Sequence, residues 1–114
     1  MTYPKYRALV ETLVEEGKST GATQSEALTQ YSLLNNKRMQ RLDKKGVISE
    51  LLIEKVKAYD KPVEWIVLTE SWCGDAAQVL PYVNKIASLN ENIDLKIALR
   101  DEHLDLMDEH LTNG

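Results

Sequence analysis

The sequence predicts an α/β protein in which three helices precede a strand–helix–strand unit with parallel strands, followed by one more helix. Three observations carry that reading. Apolar residues recur at helical spacing across the first half of the chain, Asp60-Lys61-Pro62 interrupts the pattern, and two short apolar runs then flank another helical stretch. A strand, a crossover helix and a second strand in that order favour parallel pairing.

In the first helix, residues 3–16, Tyr6, Leu9, Val10 and Leu13 share one face and Gly17 is the stop. A polar loop follows, and Thr23-Gln24-Ser25-Glu26 reads as a capping box opening a long second helix. Leu28, Tyr31, Leu34, Asn35, Met39 and Leu42 are its expected inward face, and Gly46 its left-handed terminus. Ile48, Leu51, Leu52, Val56 and Tyr59 mark a third helix, which Pro62 forbids from continuing.

Val63–Thr69 is β-branched and almost continuously apolar from Trp65, which predicts a strand covered on both faces. Residues 76–89 return to helical spacing through Val79, Leu80, Val83, Ile86 and Ala87. After Asn90-Glu91-Asn92, Ile93, Leu95, Ile97 and Leu99 alternate with more polar neighbours as in a half-buried strand. A last helix is expected from about Glu102, with Leu104, Met107 and Leu111 inward. The chain thus divides into a helical N-terminal extension, 1–61, and an α/β segment, 62–114, packed as one compact unit.

Length and composition set limits on function. At 114 residues and 43% hydrophobic, the chain suits one domain with an ordinary core. It lacks both a membrane-length apolar run and the apolar core of a secretion signal, so a cytoplasmic protein without membrane association is expected. Residues 1–62 carry 11 basic and 8 acidic side chains and residues 63–114 carry 3 and 10, an asymmetry that bears on association and not on fold. With one cysteine there is no internal disulfide, so any thiol chemistry needs a thiol from another molecule.

That cysteine, Cys73, stands where the first strand feeds the next helix. Unpaired amides and the helix dipole there favour an anion, the setting of a reactive thiolate. The alternative is a small, inert, buried residue.

Trp72-Cys73-Gly74, with Pro81 eight residues after the cysteine, resembles the thioredoxin family, whose motif is Trp-Cys-Gly-Pro-Cys on a proline-bearing helix. Thr69-Glu70-Ser71-Trp72-Cys73-Gly74-Asp75-Ala76-Ala77-Gln78 is similar, more narrowly, to a bacterial subgroup with a helical N-terminal extension. The resemblance covers residues 63–114. It implies a partial thioredoxin fold, thiol–disulfide exchange at Cys73, and motif positions at Trp72, Gly74, Asp75, Ala76 and Pro81. It also implies an Ile-Pro dipeptide, two strands and a helix beyond Gly114, so the chain is expected to be cut short, with a strand edge that pairs with a second copy.

The departures narrow the chemistry. Ala76 stands in place of the second motif cysteine, so no internal thiolate can resolve a mixed disulfide. Asp75 replaces the motif proline, and Val67 occupies the place of the family's buried aspartate. Glu70 and Arg100 end neighbouring strands on one edge, where they form either a pair beside Cys73 or two solvated charges.

His103 and His110 lie seven residues apart among acidic residues, wider than the usual zinc-helix spacing, and read as a solvated face and not a metal site. Lys37–Lys45 is the basic run, explained by cations favouring a helix C-terminus, so no nucleic-acid partner is expected. Neither a cofactor nor a metal is called for. Two functions remain: monothiol exchange with protein or low-molecular-weight thiols through Cys73, or a redox-inactive binding or structural module.

Overall fold

The structure is a computed structural model and describes residues 1–100. The expected last helix, His103 and His110 lie outside the described residues. The elements are α1 (Tyr3–Glu15), α2 (Glu26–Lys45), α3 (Glu50–Ala58), β1 (Val63–Thr69), α4 (Gly74–Ser88) and β2 (Ile93–Leu99). β1 and β2 are parallel, in register from Val63 opposite Ile93 to Thr69 opposite Leu99. Met1 exchanges two backbone hydrogen bonds with Ile97, of 2.6 and 2.7 Å, on the edge of β2 away from β1.

Helix ends show how local chemistry sets the boundaries. Gly17 takes φ +72°, and the amides of Gly17 and Lys18 reach back to the carbonyls of Val14 and Leu13. This is a Schellman ending, which glycine adopts without strain. The expected capping box is corrected. The N-cap of α2 is Ser25, whose hydroxyl accepts from Leu28 N–H at 3.1 Å, while Gln24 folds back to bind both backbone groups of Ser19.

Gly46 is corrected too. Its φ of −63° is ordinary, so no left-handed turn requires a glycine there. Close packing does: an added Cβ would stand 2.7 Å from the Leu42 carbonyl oxygen and 3.0 Å from Lys85 Nζ. Lys85 itself closes the α2 terminus by donating to the carbonyls of Leu42 and Gly46. Asn90 does the same for α3, donating to the carbonyls of Val56 and Tyr59.

One face of the sheet carries the core. Tyr3, Tyr6 and Val10 of α1, Met39 of α2, Ala77 and Leu80 of α4, and Ile97 and Leu99 of β2 form a single buried cluster. β1 is not covered on both faces, since Glu64 and Ile66 are exposed and its burial alternates like that of a one-sided strand. On α4, Leu80 is buried while Val79 points outward, 54% exposed, against its expected inward place.

The inward face of α2 departs furthest from the spacing argument. Tyr31 and Leu34 are exposed, and the buried residues are Ser32, Asn35, Asn36 and Met39. The helix is turned so that amides and a hydroxyl face the interior, where each finds a partner. Against α1, the buried Arg7 bonds Asn36 Oδ1 at 2.8 Å and Asp43 at 3.2 Å, and Asp43 also accepts from the Tyr3 hydroxyl. α3 buries no residue fully, and an apolar groove of about 350 Å³ opens between it and Val63, Trp65 and Ile93.

Candidate functional site

Cys73 is the N-cap residue of α4, as its place in the sequence predicts. Its backbone is extended, its side chain makes no capping hydrogen bond, and the residue is partly exposed. The Cys73 N–H is bound to the Glu70 carbonyl at 3.0 Å, closing the turn that carries Ser71 and Trp72 out of β1. The chain therefore arrives at the helix with its thiol at the positive end of the dipole.

The other motif residues occupy distinct surroundings. Trp72 is half-buried beneath Arg100, whose guanidinium carbon lies 5.4 Å from the ring centroid, within cation–π range. Gly74 opens the helix, and Arg38 Nη1 of α2 would stand 3.6 Å from a Cβ placed there. Asp75 is exposed in the first turn and Ala76 partly buried behind it. Pro81 lies inside α4 and is fully buried, so the helix runs through it and does not begin there.

Glu70 is not a solvated charge: it is 2% exposed and its carboxylate accepts a hydrogen bond from the Thr20 hydroxyl. Around it lies a buried polar cluster. Thr20 and Ser71 are bonded reciprocally, Thr20 N–H to Ser71 Oγ at 2.9 Å and Ser71 N–H to Thr20 Oγ1 at 2.8 Å. Ser32 Oγ lies 2.6 Å from Ser71 Oγ, and Asn35 Nδ2 donates to the Ser71 carbonyl at 3.0 Å. Asn35 Oδ1 in turn accepts from Arg38 at 3.4 Å.

A family model described as Thioredoxin matches residues 21–114. The chain belongs to the thioredoxin family. No curated protein and no solved structure matches it. The match begins at Gly21, ahead of α2, so α2 and α3 lie within the matched span. That agrees with the geometry, because α2 supplies Ser32, Asn35 and Arg38 to the thioredoxin motif loop.

The structure thus brings Glu70, Trp72, Cys73, Gly74 and Arg100 to one end of the sheet. Helical spacing places Asn35 on the inward face of α2, where it is buried, but does not identify Thr20, Ser32, Arg38 or Ser71. The available signal was polar: Ser32, Asn35, Asn36 and Met39 are themselves at helical spacing, a stripe that reads as inward once polar residues are admitted to it. Tyr6 also belongs to this neighbourhood. Its hydroxyl is pushed up to about 12, first by burial and further by the charges of Glu70 and Cys73, against lowering by Thr69 and Arg7.

Proposed function

We propose that this thioredoxin-family chain performs monothiol exchange through Cys73. The reading is carried by one observation: a partly exposed cysteine at the N-cap of α4 whose side chain is not consumed in capping the helix. The Cys73 sulfur attacks one sulfur of an external disulfide, forms a mixed disulfide and expels the other half as a thiolate, which takes up a proton. With Ala76 in place of a second cysteine, an external thiol completes the exchange, regenerating Cys73 and leaving with the bound half as a new disulfide. No net oxidation of the protein occurs over the cycle. In this reading the role of Trp72 is to shield the sulfur and that of Gly74 to admit a partner's backbone.

The substrates are the thiols and disulfides of proteins or low-molecular-weight compounds, and the cytoplasm, where a pool of reduced thiols can complete the exchange, is the location that fits this reading. Among the described residues no helix is long and apolar enough to cross a membrane.

At neutral pH the folded chain is expected to react with iodoacetamide about tenfold faster than an unstructured cysteine peptide. It is also expected to form a mixed disulfide with a small aromatic disulfide, a product that Cys73→Ser abolishes. Alkylation at the peptide rate overturns the proposal. Partner binding that survives Cys73→Ser favours instead a redox-inactive module, the reading to which Ala76 and Val67 point.

We also propose self-association. Among the described residues nothing pairs with the edge of β1 opposite β2, and Ile66 beside it is half exposed. Light scattering at micromolar concentration should give the mass of two chains, and a one-chain mass rules the dimer out.

A further inference from the structure

Ser71, in the turn after β1, has every polar group it owns engaged by the α1–α2 loop and α2. Its N–H and hydroxyl are held by Thr20 of the α1–α2 loop, its hydroxyl also by Ser32, and its carbonyl by Asn35 of α2. Thr20, Ser32, Asn35 and Ser71 are each at most 3% exposed, so no water competes for these bonds. The Thr20 hydroxyl faces both the Glu70 carboxylate and, at 3.2 Å, Ser71 Oγ, which also accepts from the Thr20 N–H and lies 2.6 Å from Ser32 Oγ. The two residues held in this way are the two that set the turn into Cys73, whose own N–H rests on the Glu70 carbonyl.

We propose that Thr20 is a positioning residue for Cys73, a latch carried by the loop before α2 that fixes the Glu70–Cys73 turn and so aims the thiol along the amino end of α4. The inference rests on the thiol-exchange reading for its purpose, while the latch itself stands on the hydrogen-bond geometry. Thr20 touches neither the thiol nor a substrate. It acts through Ser71 and Glu70.

Thr20→Val keeps the shape and the backbone N–H but removes the hydroxyl, leaving the Ser71 N–H and the Glu70 carboxylate each without that partner. Thr20→Ser restores the hydroxyl. Two readouts are compared in the folded proteins: the rate at which Cys73 opens a small aromatic disulfide, and hydrogen exchange at the Cys73 amide. Thr20→Val is expected to slow the first about tenfold and to speed the second about tenfold, with Thr20→Ser within about twofold of wild type in both.

Thr20→Val indistinguishable from wild type in amide exchange overturns the latch. So does Thr20→Ser behaving like Thr20→Val, since a role in packing alone would not track the hydroxyl. Should Thr20→Val fail to fold, Ser32→Ala, which removes one bond to Ser71, decides the matter by the same readouts, with about a threefold change expected and no change counting against the proposal. A wild-type thiol no faster than a peptide cysteine sinks the exchange reading alone, because the amide readout does not depend on thiol chemistry.

Discussion

Raising the pH from 10 to 12 is expected to remove about 2–3 kcal/mol of folding stability through Tyr6. The side chain is 1% exposed, and burial is the largest cause that pushes its hydroxyl from 10.0 up to about 12. In the unfolded chain the phenol ionises near its ordinary value. In the folded chain it stays neutral until about 12. Between those values the unfolded state binds fewer protons, so stability falls as pH rises, whereas below 10 the contribution is fully present. Tyr3 is raised in the same direction by burial and by its bond to Asp43, so it adds a loss of like sign. Urea midpoints measured from neutral pH to pH 12 should therefore decline steeply in wild type, and Tyr6→Phe should flatten part of that decline. Parallel curves for the two proteins would remove Tyr6 from the account.

Leu80→Ala should cost about 2–5 kcal/mol at neutral pH. Leu80 is 1% exposed and is the largest α4 side chain in the cluster that joins α1, α2, α4 and β2. Truncating it loses the transfer energy of the removed carbons and leaves a cavity walled by elements that cannot all close inward. The neighbouring Val79→Ala is the control: Val79 is 54% exposed, so its truncation should stay within about 0.5 kcal/mol. Equal losses from the two variants would show that α4 packs in a different rotation. Because Leu80 and Val79 are adjacent in sequence and equally helix-compatible, only their rotation about the helix axis separates the two outcomes.

The contrast between these residues is also the contrast between what was legible and what was not. Element order followed from periodicity, because the strand–helix–strand spacing and the Pro62 break are local features. The place of Cys73 followed equally, since a strand running into a helix must put the intervening residue at the helix start. What periodicity misjudged was rotation. Counting apolar residues turned Tyr31, Leu34 and Val79 inward, although the first two stand on a helix whose buried face is Ser32, Asn35, Asn36 and Met39. A polar residue can be buried cheaply when its partner is already present, and that partner lies elsewhere in the chain.

Glu70 shows the same thing at the site. Its position near Cys73 is sequence information, but whether it is solvated or buried depends on Thr20, fifty residues earlier. Gly46 makes the point for backbone. Its presence at a helix end suggested a left-handed turn, while the structure assigns it to close approach by Leu42 and Lys85.

Read as letters alone, the chain yields the secondary-structure order, the motif Trp72-Cys73-Gly74 with Pro81, and Ala76 in place of the second motif cysteine. Each of these is a matter of residue identity at short separation, where steric and hydrogen-bonding rules act within a few residues. The tertiary structure alone decided that the α1–α2 loop and α2 hold the cysteine turn, through Thr20, Ser32 and Asn35 closing on Ser71. Hydrogen bonds between residues so far apart leave no periodic trace in the sequence, because the partner of each donor is set by how the helices stack and not by how the chain is spelled.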